Sequence, residues 1–244
     1  MRKPSEINIL VGCEESQAVC IAFRERGFNA FSCDILDCSG NHPEWHLKMD
    51  IFEAITMRKW DALIGFPPCT HLANAGGCYF ETKRKDGRQK EAIIFFMKLL
   101  AAPIDIIALE NPVGILSSDW YIKYHFPELM TELVKVGMPR KPDQVIQPFY
   151  FGDNFRKYTC LWLKNLKPLV WAKQNDLFTI SNFVEPSEPT TTMIRKGKYR
   201  TGTIRKIYWQ EMLPKKDRAK IKSKTFPGIA TAMAKQWGDY LLNN

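Results

Sequence analysis

The 244-residue sequence predicts an α/β fold in which helices cover a mixed, mostly parallel sheet. Three observations carry that expectation. Short apolar runs alternate with amphipathic stretches over the first part of the chain, the pattern of strands joined by crossover helices. Two of those runs end in proline-fixed polar turns, Pro67-Pro68-Cys69 and Glu110-Asn111-Pro112, which suit the carboxyl edge of a parallel sheet, where ligands sit. The composition, 45% hydrophobic and 25% charged, is that of a chain that buries a core, which excludes disordered and low-complexity proteins.

Strands are expected at residues 7–12, 30–34, 62–65 and 104–110. Between the first two, residues 16–26 place Val19, Ile21, Ala22 and Phe23 in a helical pattern, with Ser16 as N-cap and Gly27 as the stop. Residues 90–101 form a second helix ended by Pro103, and 120–136 a third that contains Pro127. After Gly137 the texture changes. Strands are expected at 144–151, 158–163 and 179–183 with proline-rich joints, whereas the basic, Thr-rich stretch 186–205 has no clear period. A last helix, 229–242, carries Ala230, Met233, Ala234, Trp237 and Leu241 at helical spacing and is expected to pack back on the first domain. The division is a main domain, residues 1–164 plus 223–244, interrupted by a small basic region at 165–222.

The net charge of +9 is concentrated: residues 195–224 hold twelve Lys and Arg against two acids, Glu211 and Asp217. Such a segment suits a phosphate backbone, because each neutralised phosphate releases condensed counterions. Apolar stretches such as 92–102 stop well short of the roughly 20 residues a membrane helix needs, so no membrane partner is expected. The polar residues 1–6 run straight into an apolar strand without a signal region, and the expected location is the cytoplasm. Seven irregularly spaced cysteines speak against a disulfide scaffold.

Cys69 follows a strand end directly and is held by two prolines, while Glu110 ends the next strand at the same edge. A nucleophile and an acid would then face one pocket. The first strand ends in Gly12 and turns through Cys13-Glu14-Glu15, and the second ends in Asp34, about 20 residues on, where an acid can hold ribose hydroxyls. Glu14 and Glu15 would repel a pyrophosphate, and no Gly-x-Gly-x-x-Gly is present, which disfavours a dinucleotide. A nucleoside with a positive charge, as in S-adenosylmethionine, suits the acidic turn. Asp50 is placed to meet an adenine ring. Cys33, Cys38, His42 and His46 form a metal-like series, but its thiol spacing is longer than that of a zinc finger and Cys33 belongs to a strand, so no metal is expected. His71 is read as a turn residue.

These pieces in this order resemble the DNA cytosine carbon-5 methyltransferases, the compact phage and prophage members in particular. Residues 12–27 resemble the first cofactor motif, Asp34-Ile35 the ribose acid and its neighbour, Asp50-Ile51 the adenine-contacting pair, and Phe66-Pro67-Pro68-Cys69 the nucleophile motif. Glu110-Asn111-Pro112 resembles the family's Glu-Asn-Val, Asn154 to Thr159 the strand entry whose arginine contacts the base, and Phe226-Pro227-Gly228-Ile229 the closing motif. The sequence departs from the family in lacking Gly-x-Gly-Gly, in having Thr70 after the cysteine, and in having Lys157-Tyr158 after Arg156.

The resemblance implies a Rossmann-like, S-adenosylmethionine-dependent methyltransferase fold with a small target-recognition insert. It implies catalysis by Cys69, Glu110 and Arg156, and cofactor contacts from Gly12, Glu14, Asp34, Ile35, Asp50, Ile51 and Pro67. Cys69 would add to carbon 6 of a cytosine rotated out of double-stranded DNA, and Glu110 would hold ring nitrogen 3. Phosphate and base contacts are expected from Lys83, Arg84, Lys85 and Arg88 in a glycine-hinged loop, and from Arg195, Lys196, Lys198, Arg200, Arg205 and Lys206 in the insert. The chain is expected to act as a monomer in a bacterial or phage-infected cell, with a cognate restriction endonuclease as a candidate partner. Two alternatives remain: a catalytically idle DNA-binding or decoy protein, and pyrimidine modification of RNA or a free nucleotide.

Overall fold

The computed structural model describes residues 2–171, 191–195, 203–207, 212–214, 216, 221 and 223–244. The expected strand at 179–183 lies outside the described residues. Seven strands form one sheet: β1 (Asn8–Gly12), β2 (Asn29–Asp34), β3 (His46–Lys48), β4 (Ala62–Gly65), β5 (Ile106–Pro112), β6 (Gln144–Ile146) and β7 (Thr159–Lys164), in the order β3-β2-β1-β4-β5-β7-β6. The first five run parallel, and β7 runs antiparallel between β5 and β6. The sheet is thus the mixed, mostly parallel one expected, and its order reverses between β1 and β4, where such sheets open a crevice at their carboxyl ends.

β1 and β4 read as unbroken apolar runs because helices cover both faces. On one face Leu10, Leu63, Ile107, Leu109 and Trp162 pack under α2 (Ile51–Thr56), α4 (Arg88–Leu100), α5 (Asp119–His125) and α6 (Met130–Lys135). On the other, Ile9, Val11, Ile64 and Leu161 pack under α1 (Ala18–Glu25) and the last helix, α7 (Pro227–Asn243). Arg26 binds α7 where it crosses α1, donating to the Lys235 carbonyl at 2.8 Å and pairing with Asp239 at 2.6 Å. Trp237 is buried there and donates from Nε1 to the Lys167 carbonyl at 3.0 Å.

Several expectations shift. The helix expected over 120–136 is interrupted at Phe126-Pro127, whose missing N–H divides it into α5 and α6. The strand expected over 144–151 stops at Ile146, because Pro148 opens a 3-10 turn. Ser16 does not cap α1; Gln17 precedes that helix in a left-handed conformation, φ 60°, and the buried Glu14 carboxylate accepts from Val19 N at 2.7 Å and Cys20 N at 3.2 Å. The region read as a mobile loop after Cys69 contains a 3-10 segment, Asn74–Tyr79, and a helix, α3 (Phe80–Lys85).

In the basic region the structure describes an antiparallel ribbon, β8 (Thr191–Arg195) and β9 (Thr203–Ile207), in a stretch without a clear apolar period. Residues up to Trp171 belong with the main body: Leu169 is buried, Gln144 bonds both its N–H and its carbonyl, and Trp171 stacks on Tyr150. Residues 165–171, expected in the basic region, thus pack against the main body. Among the described residues, no helix is long and apolar enough to cross a membrane.

Because Trp237 is fully buried in the core between the sheet and α7, Trp237→Ala should lower the unfolding free energy by about 3–5 kcal/mol, measured by urea denaturation.

Candidate active site

At the carboxyl edge of β1 and β2 the sheet opens into a cavity of about 370 Å³, within the range of small-molecule sites. Asp34 and Ile35 line it from the end of β2, Asp50 and Ile51 from the start of α2, and Pro68 from the loop after β4. Cys13, Leu36, Met49 and Phe95 complete much of the apolar wall. Asp34 Oδ1 accepts from Leu36 N at 3.0 Å and Asp50 Oδ1 from Phe52 N at 2.8 Å, which fixes both carboxylates while leaving each a second oxygen for a ligand. Cys13 holds a left-handed φ of 58°, a conformation that favours glycine and clusters at ligand sites. Burial first, then Asp34, Cys33 and Asp50, push its thiol up to about 12, so it meets the cavity as a neutral group. An apolar slot with an acid at the end of β2 fits an adenosine-like group.

Three of the residues expected here stand behind the cavity wall. Glu14 turns inward to cap α1. Gly12 backs onto Ile51, whose Cδ1 would lie 2.7 Å from a Cβ at that position, so its lack of a side chain serves packing. Pro67 is buried with its carbonyl accepting from Asn111 Nδ2 at 2.9 Å, and the proline that reaches the cavity is Pro68.

Beyond Pro68, the thiol of Cys69 enters the field of Glu110 and Lys157. Burial and then the Glu110 carboxylate raise the Cys69 pKa, and the Lys157 ammonium works in the opposite direction. Lys157 Nζ stands 3.6 Å from Glu110 Oε1, both side chains 13% exposed. That oxygen is buried without a hydrogen bond. Glu110 and Lys157 line a cleft with Phe66, Thr159, Thr225 and Phe226, which has room for about one water, 10 Å³, so a pyrimidine ring enters only when these side chains part. The basic residue at the carboxylate is thus Lys157. Arg156, the residue expected there, lies over the Phe149 ring with its guanidinium carbon 5.5 Å from the centroid.

The cations after Cys69 are also engaged within the chain. Lys83 is buried and donates to the Thr70 carbonyl at 2.7 Å, and Arg84 donates to Tyr121 Oη at 2.6 Å. Lys85 pairs with Glu81 at 2.9 Å, and Arg88 with Asp86. Of these only Lys85 and Arg88 are exposed. Arg195 ends β8, and Arg205 and Lys206 lie in β9, while Lys196, Lys198 and Arg200 fall outside the described residues. No His, Cys, Asp and Glu group able to hold a metal occurs among the described residues. The contributions of Lys157 and Asn111 escaped the sequence reading; only the alternation of side chains along β7 could have signalled the first.

No protein-family model and no curated protein matches the chain. Among solved structures it is similar to a protein described as a DNA modification methyltransferase encoded within an E. coli prophage, at 13% identity and a TM-score of 0.42, over 64% of this chain and 46% of that one. It is also similar to the S. pombe Dnmt2 methyltransferase, at 14% identity and a TM-score of 0.39, over 66% of this chain and 51% of the other. The chain spans about half the length of each.

Burial raises the Glu14 pKa from 4.5 to about 8 against the pull of two backbone N–H donors. The stability this proton contributes is present in full below 4.5 and is lost as pH rises through about 8. Glu14→Gln should weaken the cap yet flatten the decline of the urea midpoint over that interval, read from denaturation curves across pH.

Proposed function

We propose that the chain is an S-adenosylmethionine-dependent methyltransferase acting on carbon 5 of cytosine in double-stranded DNA. The observation that carries this reading is the place of Cys69, directly after Pro68 in the wall of an acid-rimmed nucleoside-sized cavity and within the electrostatic reach of the Glu110–Lys157 pair.

Carbon 5 of cytosine is a poor nucleophile until carbon 6 carries an adduct. The Cys69 sulfur forms a bond to carbon 6, and the displaced ring electrons are stabilised by a proton shared between nitrogen 3 and Glu110. The buried, hydrogen-bond-free Oε1 of Glu110 is suited to such a contact. Lys157 keeps the thiolate accessible by opposing burial and the Glu110 charge. Once carbon 5 has taken a methyl group, its proton passes to water, and the C5–H electron pair re-forms the ring double bond and expels Cys69 as the thiolate. Asp34 and Asp50 are placed to bind the hydroxyls and base of an adenosine, with Ile35 and Ile51 against its ring. When bound, S-adenosylmethionine supplies an electrophilic methyl group. Pro68 lies in the wall of that cavity, and Cys69 follows it on the side of Glu110, which brings donor and acceptor sites to either side of one dipeptide.

DNA is favoured as the substrate by the basic excess of residues 195–224 and by the β8–β9 ribbon, a two-stranded element of the kind the major groove admits. The region beyond residue 171 is accordingly read as the target-recognition insert.

Transfer of a labelled methyl group from S-adenosylmethionine to unmodified duplex DNA tests the reading. Label should appear at carbon 5 and vanish with Cys69→Ser, and Glu110→Gln should reduce the rate by about 10²–10³-fold. Duplex binding without transfer would instead support the idle protein, and transfer confined to RNA would change the substrate class. In the same assay Lys157→Met should move the rising limb of the pH–rate profile to higher pH, because loss of its charge raises the Cys69 pKa; Arg156→Met should leave that limb in place.

A further inference from the structure

Lys83 is a buried cation that the proposed chemistry does not use. It is 7% exposed, and among the described residues no carboxylate stands within ion-pair distance of it. Its Nζ donates to the carbonyl of Thr70, the residue after Cys69, at 2.7 Å. Burying an ammonium against one neutral carbonyl carries a desolvation penalty that an amide or hydroxyl side chain would largely avoid. The arrangement therefore calls for a return elsewhere.

The loop around Cys69 is fixed one carbonyl at a time. The Pro67 carbonyl accepts from Asn111, that of Cys69 from Leu72 N and Ala73 N, and that of Leu72 from Ile115 N. Those donors belong to the loop itself, to β5 or to the segment directly after β5. The Thr70 carbonyl is the exception, because its donor comes from α3. Gly76 leaves room for that reach: a Cβ there would lie 2.9 Å from Lys83 Nζ, and the larger the side chain, the further the ammonium must move. Its φ of −100° is open to L-residues, so it is the space above its Cα, not its backbone angle, that the ammonium uses.

We infer that Lys83 is a positioning residue for Cys69, clipping the nucleophile loop to α3 across Gly76 so that the thiol keeps its place against Glu110 and Lys157. The inference rests on the reading of Cys69 as the nucleophile. It also reassigns Lys83, which charge alone had placed among the phosphate contacts, to the inside of the protein.

Two variants break the clip by different means. Lys83→Met removes the ammonium, and Gly76→Val retains it but sets a branched side chain in its path to Thr70. Both should lower kcat for methyl transfer by about 10²-fold, the penalty for displacing a reacting group by about 1 Å, with KM for S-adenosylmethionine unchanged. Alkylation by iodoacetamide, resolved by peptide mass mapping, should become severalfold faster at Cys69 in both variants, with exposed Cys78 as the internal reference. Folded variants that alkylate Cys69 at the wild-type rate would overturn the inference. If the wild-type protein transfers no methyl group, faster Cys69 alkylation in both variants still upholds the clip, and it is the proposed activity that fails.

Discussion

The hydrogen bond from Asn111 Nδ2 to the Pro67 carbonyl, 2.9 Å long, joins the end of β5 to the loop that leaves β4. With the bonds from Ile115 N to the Leu72 carbonyl and from Asn74 N to the Val113 carbonyl further along, it relates the positions of Cys69 and Glu110. Two prolines limit the conformations of the loop, but they cannot orient it, since neither has an N–H to donate. Orientation comes from the neighbouring strand. Asn111 is 1% exposed and its Oδ1 is buried without a partner, an expense of about 1–3 kcal/mol that reinforces the view that its amide is there for the loop.

The turn after β1 solves a related problem by unusual means. A close approach of ligand to backbone is commonly provided by glycines, yet here Cys13 and Gln17 adopt left-handed angles of 58° and 60°. Side chains compensate. Glu14 accepts from two N–H groups at the start of α1, while Gln17 donates to Ser32 Oγ at 3.2 Å and to the His42 carbonyl at 2.8 Å and accepts from His42 N at 3.1 Å. The acids that looked like cofactor ligands thus divide their work. Glu14 holds the turn in shape, and Asp34 and Asp50 remain at the cavity.

Strands and helices with strong apolar periodicity were legible in the sequence, as β1, β2, β4, β5 and α7 illustrate, because burial on one or both faces imposes composition directly. The pairing of Cys69 with Glu110 was legible for the same reason: each follows an apolar run, and parallel strands bring their ends to one edge. What sequence could not supply was side-chain direction. Lys83 and Arg84 read as free cations because charge is a property of residue type, whereas their engagement with Thr70 and Tyr121 depends on how α3 docks. The break between α5 and α6 was signalled by Pro127, though the strength of the surrounding pattern concealed it.

The choice between Arg156 and Lys157 turns on strand register. In the antiparallel pair of β5 and β7, Glu110 stands opposite Leu161, alternation brings Thr159 to the same side, and Lys157, two residues before it, lines the same cleft. Arg156 has the other parity, so its greater capacity for bidentate bonding is of no use at Glu110. A shift of one residue in this pairing would exchange the two side chains and also turn Leu161 and Leu163 out of the core beneath α7, which is why packing enforces the register that places a lysine in the site. A compact ammonium at 3.6 Å leaves Oε1 without the hydrogen bond a guanidinium fork would tend to make. Under the proposed function the lysine would lend charge to the thiol while leaving the carboxylate available to an incoming base.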